Sequence, residues 1–443
     1  MLGWDIKGMG GLGAIGTMTN LPNSLWAATA PPPPPTTPLQ ETARADVAVI
    51  GAGVTGLSTA IHLAERGVTC VVLEAETAGF GGSGRNSGHI IPALGAGDPD
   101  ALAAHLGAER GERMVAFLRD SADLVFDLIR RYEIDCEAVQ NGWVMPAHRS
   151  SRMKDIERRY DEWTRRQARA TLLDAAETEA LLGTQSYYGA LMLPSGGHVN
   201  PLALAHGLAW AAVKRGVRLH TGSPALSLDH GADGMWRVRC PSGQVTADKI
   251  VVATNAYTGA LVPKLARTLV RIINYQVSTH PLPKAERASV LPSNVSSSDT
   301  RRDLRPFRKD HAGRLVTGAT LALPIAMDRR IRPWIERRIA QVFPQIADPR
   351  LEFVWNGRIA MTPNRLPRVH EIGPGAITSI AYNGRGMAIG TAMGAALAAW
   401  ATGKPADQLP LPKLEVEPLP LASALGRWAQ TALLWYRRLD RRD

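Results

Sequence analysis

Residues 51–56 read Gly-Ala-Gly-Val-Thr-Gly, a spacing that suits one kind of chemistry where a strand ends and a helix begins. Gly51 permits the tight turn, Gly53 lets backbone N–H groups approach a pyrophosphate, and Gly56 lets helix and strand pack closely. Val54 and Thr55 supply the first amides of a helix whose N-terminus favours the anion. Glu74 follows about 20 residues on, where a carboxylate can accept hydrogen bonds from ribose hydroxyls, with Ala75 beside it. Glycines alone make an ordinary turn. Joined to a carboxylate at the end of the next strand, they point to a bound dinucleotide.

The segment Gly79-Phe80-Gly81-Gly82-Ser83-Gly84-Arg85-Asn86-Ser87-Gly88-His89 bears on which dinucleotide. A plain glycine run would be a surface loop. Here Ser83, Arg85, Asn86, Ser87 and Gly88 add donors just after the second strand, as the pyrophosphate and carbonyl-rich ring of a flavin require, so FAD is expected rather than NAD.

The elements that must position these residues follow from periodicity. Asp46–Ile50 is a short β-branched run. Thr55–Arg66 turns helical through Leu57, Ala60, Ile61 and Ala64, and Gly67 closes it. Val68–Leu73 is a second apolar run ending at Glu74, so residues 46–74 form one βαβ unit. Pro201–Leu219 reads as helix then strand, and Trp236 through Gly243 to Val252 as a β-hairpin. Arg110–Arg131 and Arg149–Gln167 read as helices. Met387–Thr402 is Ala- and Gly-rich, shorter than the roughly 18 to 20 apolar residues of a spanning helix, and reads as a buried helix. Pro31–Pro35 cannot join a helix or central strand and reads as a polyproline spacer.

At 443 residues and 45% hydrophobic the chain exceeds the roughly 250 to 300 residues at which single cores stop growing. The fold class expected is α/β: a Rossmann-like FAD-binding domain (45–95, 195–261 and 352–405) interleaved with an α+β substrate domain (96–194 and 262–351) built on a mixed or antiparallel sheet. An N-terminal arm (1–44) and a C-terminal tail (406–443) flank them.

Lys and Arg number 51 against 40 Asp and Glu, a formal charge of +11. Arg152, Lys154, Arg158 and Arg159 nevertheless alternate with Asp155, Glu157, Asp161 and Glu162, as on a solvated helix face. The one-sided stretch Arg301–Arg338 has no zinc-finger spacing and no RNP-like box, so no nucleic-acid partner is expected. Cys70, Cys136 and Cys240 show no CxxC and no metal-ligand spacing, which favours a reducing, cytoplasmic setting and no metal. Met1–Asn20 lacks the layout of a signal peptide, and Met18 is an alternative start. Trp428–Leu439 is aromatic and basic; a packed amphipathic tail is expected, with peripheral membrane contact as the alternative and no transmembrane segment.

These motifs, with Ser24-Leu25-Trp26-Ala27-Ala28-Thr29, Ala253-Thr254-Asn255-Ala256-Tyr257-Thr258 and Tyr382-Asn383-Gly384-Arg385-Gly386-Met387, resemble the flavin amine oxidases related to D-amino-acid oxidase, glycine oxidase and sarcosine oxidase, nearest the gamma-glutamylputrescine oxidase branch. The resemblance implies that Ala253, Thr254 and Asn255 pass the adenine and pyrophosphate side and that Ala225, where valine is usual, contributes backbone there. It implies that Asn383, Gly384, Arg385, Gly386 and Met387 open the last helix and aim amides at the flavin pyrimidine carbonyl, and that Gly357 lies on the strand over the flavin.

Arg358 on that strand invites the role of carboxylate clamp. An ungapped comparison, however, places the relatives' arginine at Ile359, and a one-residue slip on a strand reverses the face. His89 either faces flavin or substrate or is a hydrogen-bonded core residue. No cysteine follows Cys240 and Asn86 stands where some relatives attach FAD through histidine, so the flavin is expected to be non-covalent. No lysine occupies Arg314–Gly318, where sarcosine-oxidase-like relatives carry one for oxygen activation.

The implied reaction is oxidation of a C–N bond in a small amine or amino-acid-like substrate, with hydride transfer to flavin N5, imine hydrolysis and electrons passed to O2. An amine dehydrogenase reducing a quinone or carrier protein, and a non-catalytic flavin-binding subunit, are the alternatives.

Overall fold

The β-branched run before the glycine turn becomes a strand, Thr42–Ile50, in a computed structural model that describes residues 21–95, 98–322, 326–420 and 422–442. The alternative start at Met18 lies outside the described residues. This strand begins at Thr42 rather than Asp46, because residues 42–45 pair in parallel with Gln244–Ala247. Ile50 and its neighbours also pair in parallel with Cys70–Leu73, and the helix between, Val54–Ala64, is buried through its first ten residues. The expected βαβ unit is therefore present.

The first sheet has nine strands. Across it run Lys413–Leu414, Arg368–Gly373, Ala376–Ile380, Gln244–Val252, Thr42–Ile50, Cys70–Leu73 and Arg218–His220, with the antiparallel strands Trp236–Arg239 and Ser227–His230 branching from Gln244–Val252. The second has eight: Leu351–Met361, Val270–Pro281, Arg314–Ala319, Pro306–Lys309, Ser296–Ser298, Trp143–Pro146, Ala190–Leu193 and Thr171–Leu173. Its pairs are antiparallel except Ser296–Ser298 on Trp143–Pro146, which makes it a mixed sheet. The architecture is α/β, as expected.

The helix Gly386–Ala401 packs across Val54–Ala64 so closely that a Cβ at Gly394 would stand 2.5 Å from the Thr55 carbonyl oxygen. Glycine at that crossing brings the N-termini of the two helices to one place. Helices Ala108–Arg131 and Met153–Thr164 occupy the two segments read as helical.

The prolines form a strap rather than a loose spacer. The Pro31 carbonyl accepts from His206 Nδ1 at 2.6 Å and the Pro32 carbonyl from Trp210 Nε1 at 3.1 Å. A residue type without an N–H still offers its acceptor, and the helix Pro201–Lys214 takes it. Cys70, Cys136 and Cys240 are buried and free. Among the described residues no helix is long and apolar enough to cross a membrane. The tail from residue 422 is a helix, Ala422–Arg442, packed on strand Val270–Pro281.

Candidate flavin and substrate site

One cavity of about 970 Å³ runs along the ends of the first sheet's strands and under the second sheet. Its walls include Gly51, Gly53, Val54, Thr55, Glu74, Ala75 and Ala225 at one end and Asn383, Gly384, Arg385, Gly386 and Met387 further along. Gly51 has φ +105°, a conformation few other residues adopt. A Cβ at Gly56 would meet the Gly51 carbonyl oxygen at 1.9 Å, so Gly56 lies behind the wall and sets how closely helix and turn approach. Gly53, the N-cap, offers no side-chain hydrogen bond to the helix. Arg385, the N-cap of Gly386–Ala401, offers none either. Two helix N-termini without acidic caps thus open on one cavity, an arrangement suited to anionic or carbonyl groups.

Glu74 meets the glycine turn directly. It accepts from the amides of Ala52 at 2.7 Å and Glu76 at 3.0 Å. Burial raises its carboxyl above the usual carboxylate range, and those amides offset only part of the rise.

In the Gly79–His89 loop most side chains brace the loop itself. Ser83 Oγ accepts from Val54 N at 3.0 Å. Arg85 donates through Nε to the Phe80 carbonyl and lies over its ring. Asn86 Nδ2 donates to the carbonyls of Gly82 and Ser83, and its Oδ1 accepts from Gly88 N. Ser83, Arg85, Asn86 and Ser87 still border the cavity, whereas Gly88 does not. A Cβ at Gly88 would meet the Val199 carbonyl oxygen at 2.1 Å, so this glycine serves packing.

Ala253, Thr254 and Asn255 line the wall beside the glycine turn, where a Cβ at Gly51 would stand 3.0 Å from the Ala253 carbonyl oxygen. Asn255 Oδ1 accepts from Ala381 N, and Asn383 Oδ1 from Thr362 N. With Ala381, Asn383 and Gly384 at φ +61°, +52° and +83°, these bonds hold a left-handed turn ahead of the last buried helix.

The strand Leu351–Met361 is the edge that closes the cavity. Its pairs Asn274↔Gly357 and Ile272↔Ile359 all line the wall. Of the intervening pair, Ile273 does not line the cavity, whereas Arg358 borders it. Arg358 is exposed at the rim, its guanidinium 5.6 Å over the Tyr257 ring. Arg358 thus borders the cavity from an exposed position at its rim, with Ile359 beside it on the wall.

The family description "FAD dependent oxidoreductase" (DAO) matches residues 46–400. The chain belongs to the DAO family. It is 30% identical over 372 residues to gamma-glutamylputrescine oxidoreductase of Escherichia coli K12, covering 84% of this chain and 86% of that protein. It is 30% identical over 427 residues to a probable oxidoreductase, OrdL, of Rhizobium meliloti, covering 94% and 97%. In fold it is similar to glycine oxidase from Geobacillus kaustophilus, with TM-score 0.67 and 20% identity over 82% of this chain and 96% of that one. It also resembles an L-amino acid deaminase from Proteus vulgaris, with TM-score 0.69 and 20% identity over 87% and 96%.

In this DAO-family oxidoreductase His89 borders the cavity, yet both ring nitrogens are engaged within the chain. Nδ1 is 2.8 Å from Ser87 Oγ and Nε2 is 3.3 Å from the Phe307 carbonyl, so Nε2 carries the proton and donates. Burial, then the nearby Arg308 guanidinium, push the imidazole down to about 3. A neutral, doubly bonded ring holds position. This is the arrangement of the hydrogen-bonded core residue that was the alternative reading of His89.

Arg385 was expected to contribute its backbone. Its side chain is the more informative part. The guanidinium is buried, 9% exposed, and stacks 4.8 Å over the Trp143 ring. Nη1 has no hydrogen-bond partner, and no carboxylate pairs with the group among the described residues. Burial, then Arg159, push it down to about 9. A buried cation without a counter-ion is costly unless an anion arrives.

Sequence reasoning missed three further contributions. Trp26 Nε1 donates to the Asn86 carbonyl at 2.8 Å and Trp355 Nε1 to the Arg85 carbonyl at 2.9 Å. These two rings, edge to face 5.7 Å apart, hold the glycine loop from below; the Ser24–Thr29 motif was the available signal. Leu425, Ala429, Leu433 and Tyr436 of the C-terminal helix roof the cavity, legible beforehand only as an amphipathic tail.

Proposed function

We propose that this DAO-family oxidoreductase holds FAD non-covalently along the glycine cradle and oxidises a C–N bond in an amine or amino-acid-like substrate that carries an anionic group. The observation that carries the reading is one cavity onto which two helix N-termini without acidic caps and the unpaired Arg385 guanidinium all open. Gly51, Gly53, Thr55 and Glu74 would hold the adenosine and pyrophosphate, and the Asn383–Met387 turn the flavin ring.

When bound, FAD supplies the acceptor for the hydride of the substrate's α C–H. Arg385 orients the substrate through its anion, so the amine presents one face to the reacting centre. Ile272, Ile359 and Met145 put apolar surface on a wall that Asn274, Gln276 and Arg159 share, and that apolar part limits water at the amine until the imine forms and hydrolyses. Non-covalent binding is supported by the absence of cysteine from the lining residues and by the engaged nitrogens of His89.

The partition into a flavin domain (45–95, 195–261 and 352–405) and a substrate domain (96–194 and 262–351) is kept with three changes that follow the sheets: the first boundary moves back to Thr42, strand Leu351–Met361 goes with the second sheet, and Lys413–Leu414 goes with the first.

Oxygen, giving H2O2, is the first acceptor to test. A dehydrogenase that reduces a quinone or carrier protein is the second reading, favoured by the lack of any lysine among the lining residues, since a fixed cation would stabilise charge building on oxygen. Peroxide yield per turnover separates them. The reading as a whole is tested by mixing the purified protein anaerobically with amines that carry or lack a carboxylate and following the flavin absorbance. Bleaching by carboxylate-bearing amines supports it; a flavin that stays oxidised with every amine overturns it.

A further inference from the structure

The C-terminal helix Ala422–Arg442 presents two unlike faces. Inward, Ala429 and Tyr436 line the cavity. Asp440 anchors the helix by accepting from the amides of Arg302 and Asp303, and Arg437 anchors it by donating to Asp303 and the Thr320 carbonyl. Outward, Leu434 and Trp435 are 52% and 57% exposed, and Trp428, which also borders the cavity's rim, is 67% exposed. Trp428 and Trp435 lie two helical turns apart and so share a side. Single exposed apolar residues need no explanation, but two tryptophans and a leucine along one held helix mark a contact surface.

The charges around this stripe specify what it would contact. Residues 422–442 contain five arginines and one acidic residue, Asp440, which is itself engaged by Arg302. Arg438 is exposed beside the stripe. Arg365 lies 5.9 Å over the Tyr436 ring, and the backbone of Arg271 packs against Gly426. Among the described residues none of Arg438, Arg365 and Arg271 is in an ion pair with a carboxylate. An amphipathic helix with tryptophans on its free side and a cationic border matches the headgroup region of an anionic membrane.

We propose that the C-terminal helix docks this protein on an anionic phospholipid bilayer, with Trp428, Leu434 and Trp435 at the boundary between headgroups and acyl chains and Arg438 at the lipid phosphates. Because the inner face of the same helix roofs the cavity, docking sets the cavity beside the membrane surface.

The test is flotation of the flavin-loaded, full-length protein with vesicles of phosphatidylcholine alone and of phosphatidylcholine with phosphatidylglycerol. The protein is expected to float with the anionic vesicles at low salt, to be released as salt rises, and to stay behind with the neutral ones. The double substitution Leu434→Ser with Trp435→Ser should cut the bound fraction on the order of tenfold, with flavin content and thermal midpoint unchanged. Arg438→Glu should weaken binding to the anionic vesicles. Failure to float with either vesicle, or flotation unaffected by the substitutions, would overturn the proposal. So would a dimer in solution that the double substitution converts to monomer, since the stripe would then be covered by a second copy.

Discussion

Replacing Arg385 by methionine asks what its buried guanidinium is for. The side chain is 9% exposed, lies over Trp143 at 4.8 Å and has no carboxylate partner among the described residues. Without substrate the change removes an uncompensated buried cation and a cation–π contact of up to about 2 kcal/mol, and it leaves an unbranched chain that fills similar space. These effects oppose each other, so the substrate-free holoenzyme should melt no lower than wild type, or slightly higher.

With a carboxylate-bearing amine the balance changes. Losing one partner of a buried charge pair costs about 2 to 5 kcal/mol, or roughly 30- to 5,000-fold in the second-order rate constant for flavin reduction. The assay is anaerobic stopped-flow reduction of wild type and Arg385→Met with a carboxylate substrate and with its methyl ester, per bound flavin. The ester should be reduced at similar rates by both proteins, because neither can clamp it. Equal losses on acid and ester, or a lower melting temperature with no loss on the acid, would refute the clamp.

Three other outcomes follow from the same geometry. Arg358→Leu, at the exposed rim of the cavity, should leave reduction by carboxylate substrates within about threefold of wild type, as for surface substitutions worth under ~0.5 kcal/mol; a loss matching that of Arg385→Met would show that Arg358 holds the carboxylate. Gly53→Val should abolish flavin binding, since a Cβ there stands 2.8 Å from Ser83 Oγ and a branched side chain fills the cradle; flavin content after purification is the measure. Thermal stability should fall on acidification from pH 7 to 5, because burial holds His89 at about 3 and His148 at about 4 and lowers His62, His198, His206 and His370. His89 and His148 stay neutral when folded down to pH 5, and all six take up protons near 6.5 when unfolded. Their stabilising contribution is complete above pH 6.5 and falls below it, by about 1.4 kcal/mol per pH unit each for His89 and His148, the others adding in the same direction. Melting temperatures flat from pH 7 to 5 would contradict this.

The cofactor half of the site was legible because its chemistry is local. A turn, a helix start and a strand end lie within residues 46–74, and glycine is the only residue that satisfies φ +105° at Gly51 or the close approach at Gly56. The substrate half is assembled from distant segments. Arg385, Trp143, Met145 and the C-terminal helix meet only through the packing of two sheets, and nothing in the spacing of those residues announces it. Arg358 shows the limit most clearly, since an arginine one residue off on a strand changes faces, and only the fold shows that it stands exposed at the cavity's rim. His89 looked equally suited to catalysis and to structure until its two nitrogens were seen to be bonded to Ser87 and Phe307.

The central claim is that this cavity removes two electrons from a C–N bond. It is tested most directly by a single anaerobic turnover in which flavin absorbance, carbonyl product and released amine or ammonia are measured together. The account predicts one carbonyl and one nitrogen product for each flavin reduced, with carboxylate-bearing amines as the productive substrates. A flavin that stays oxidised in the presence of those amines, or that is reduced without carbonyl product, would contradict it.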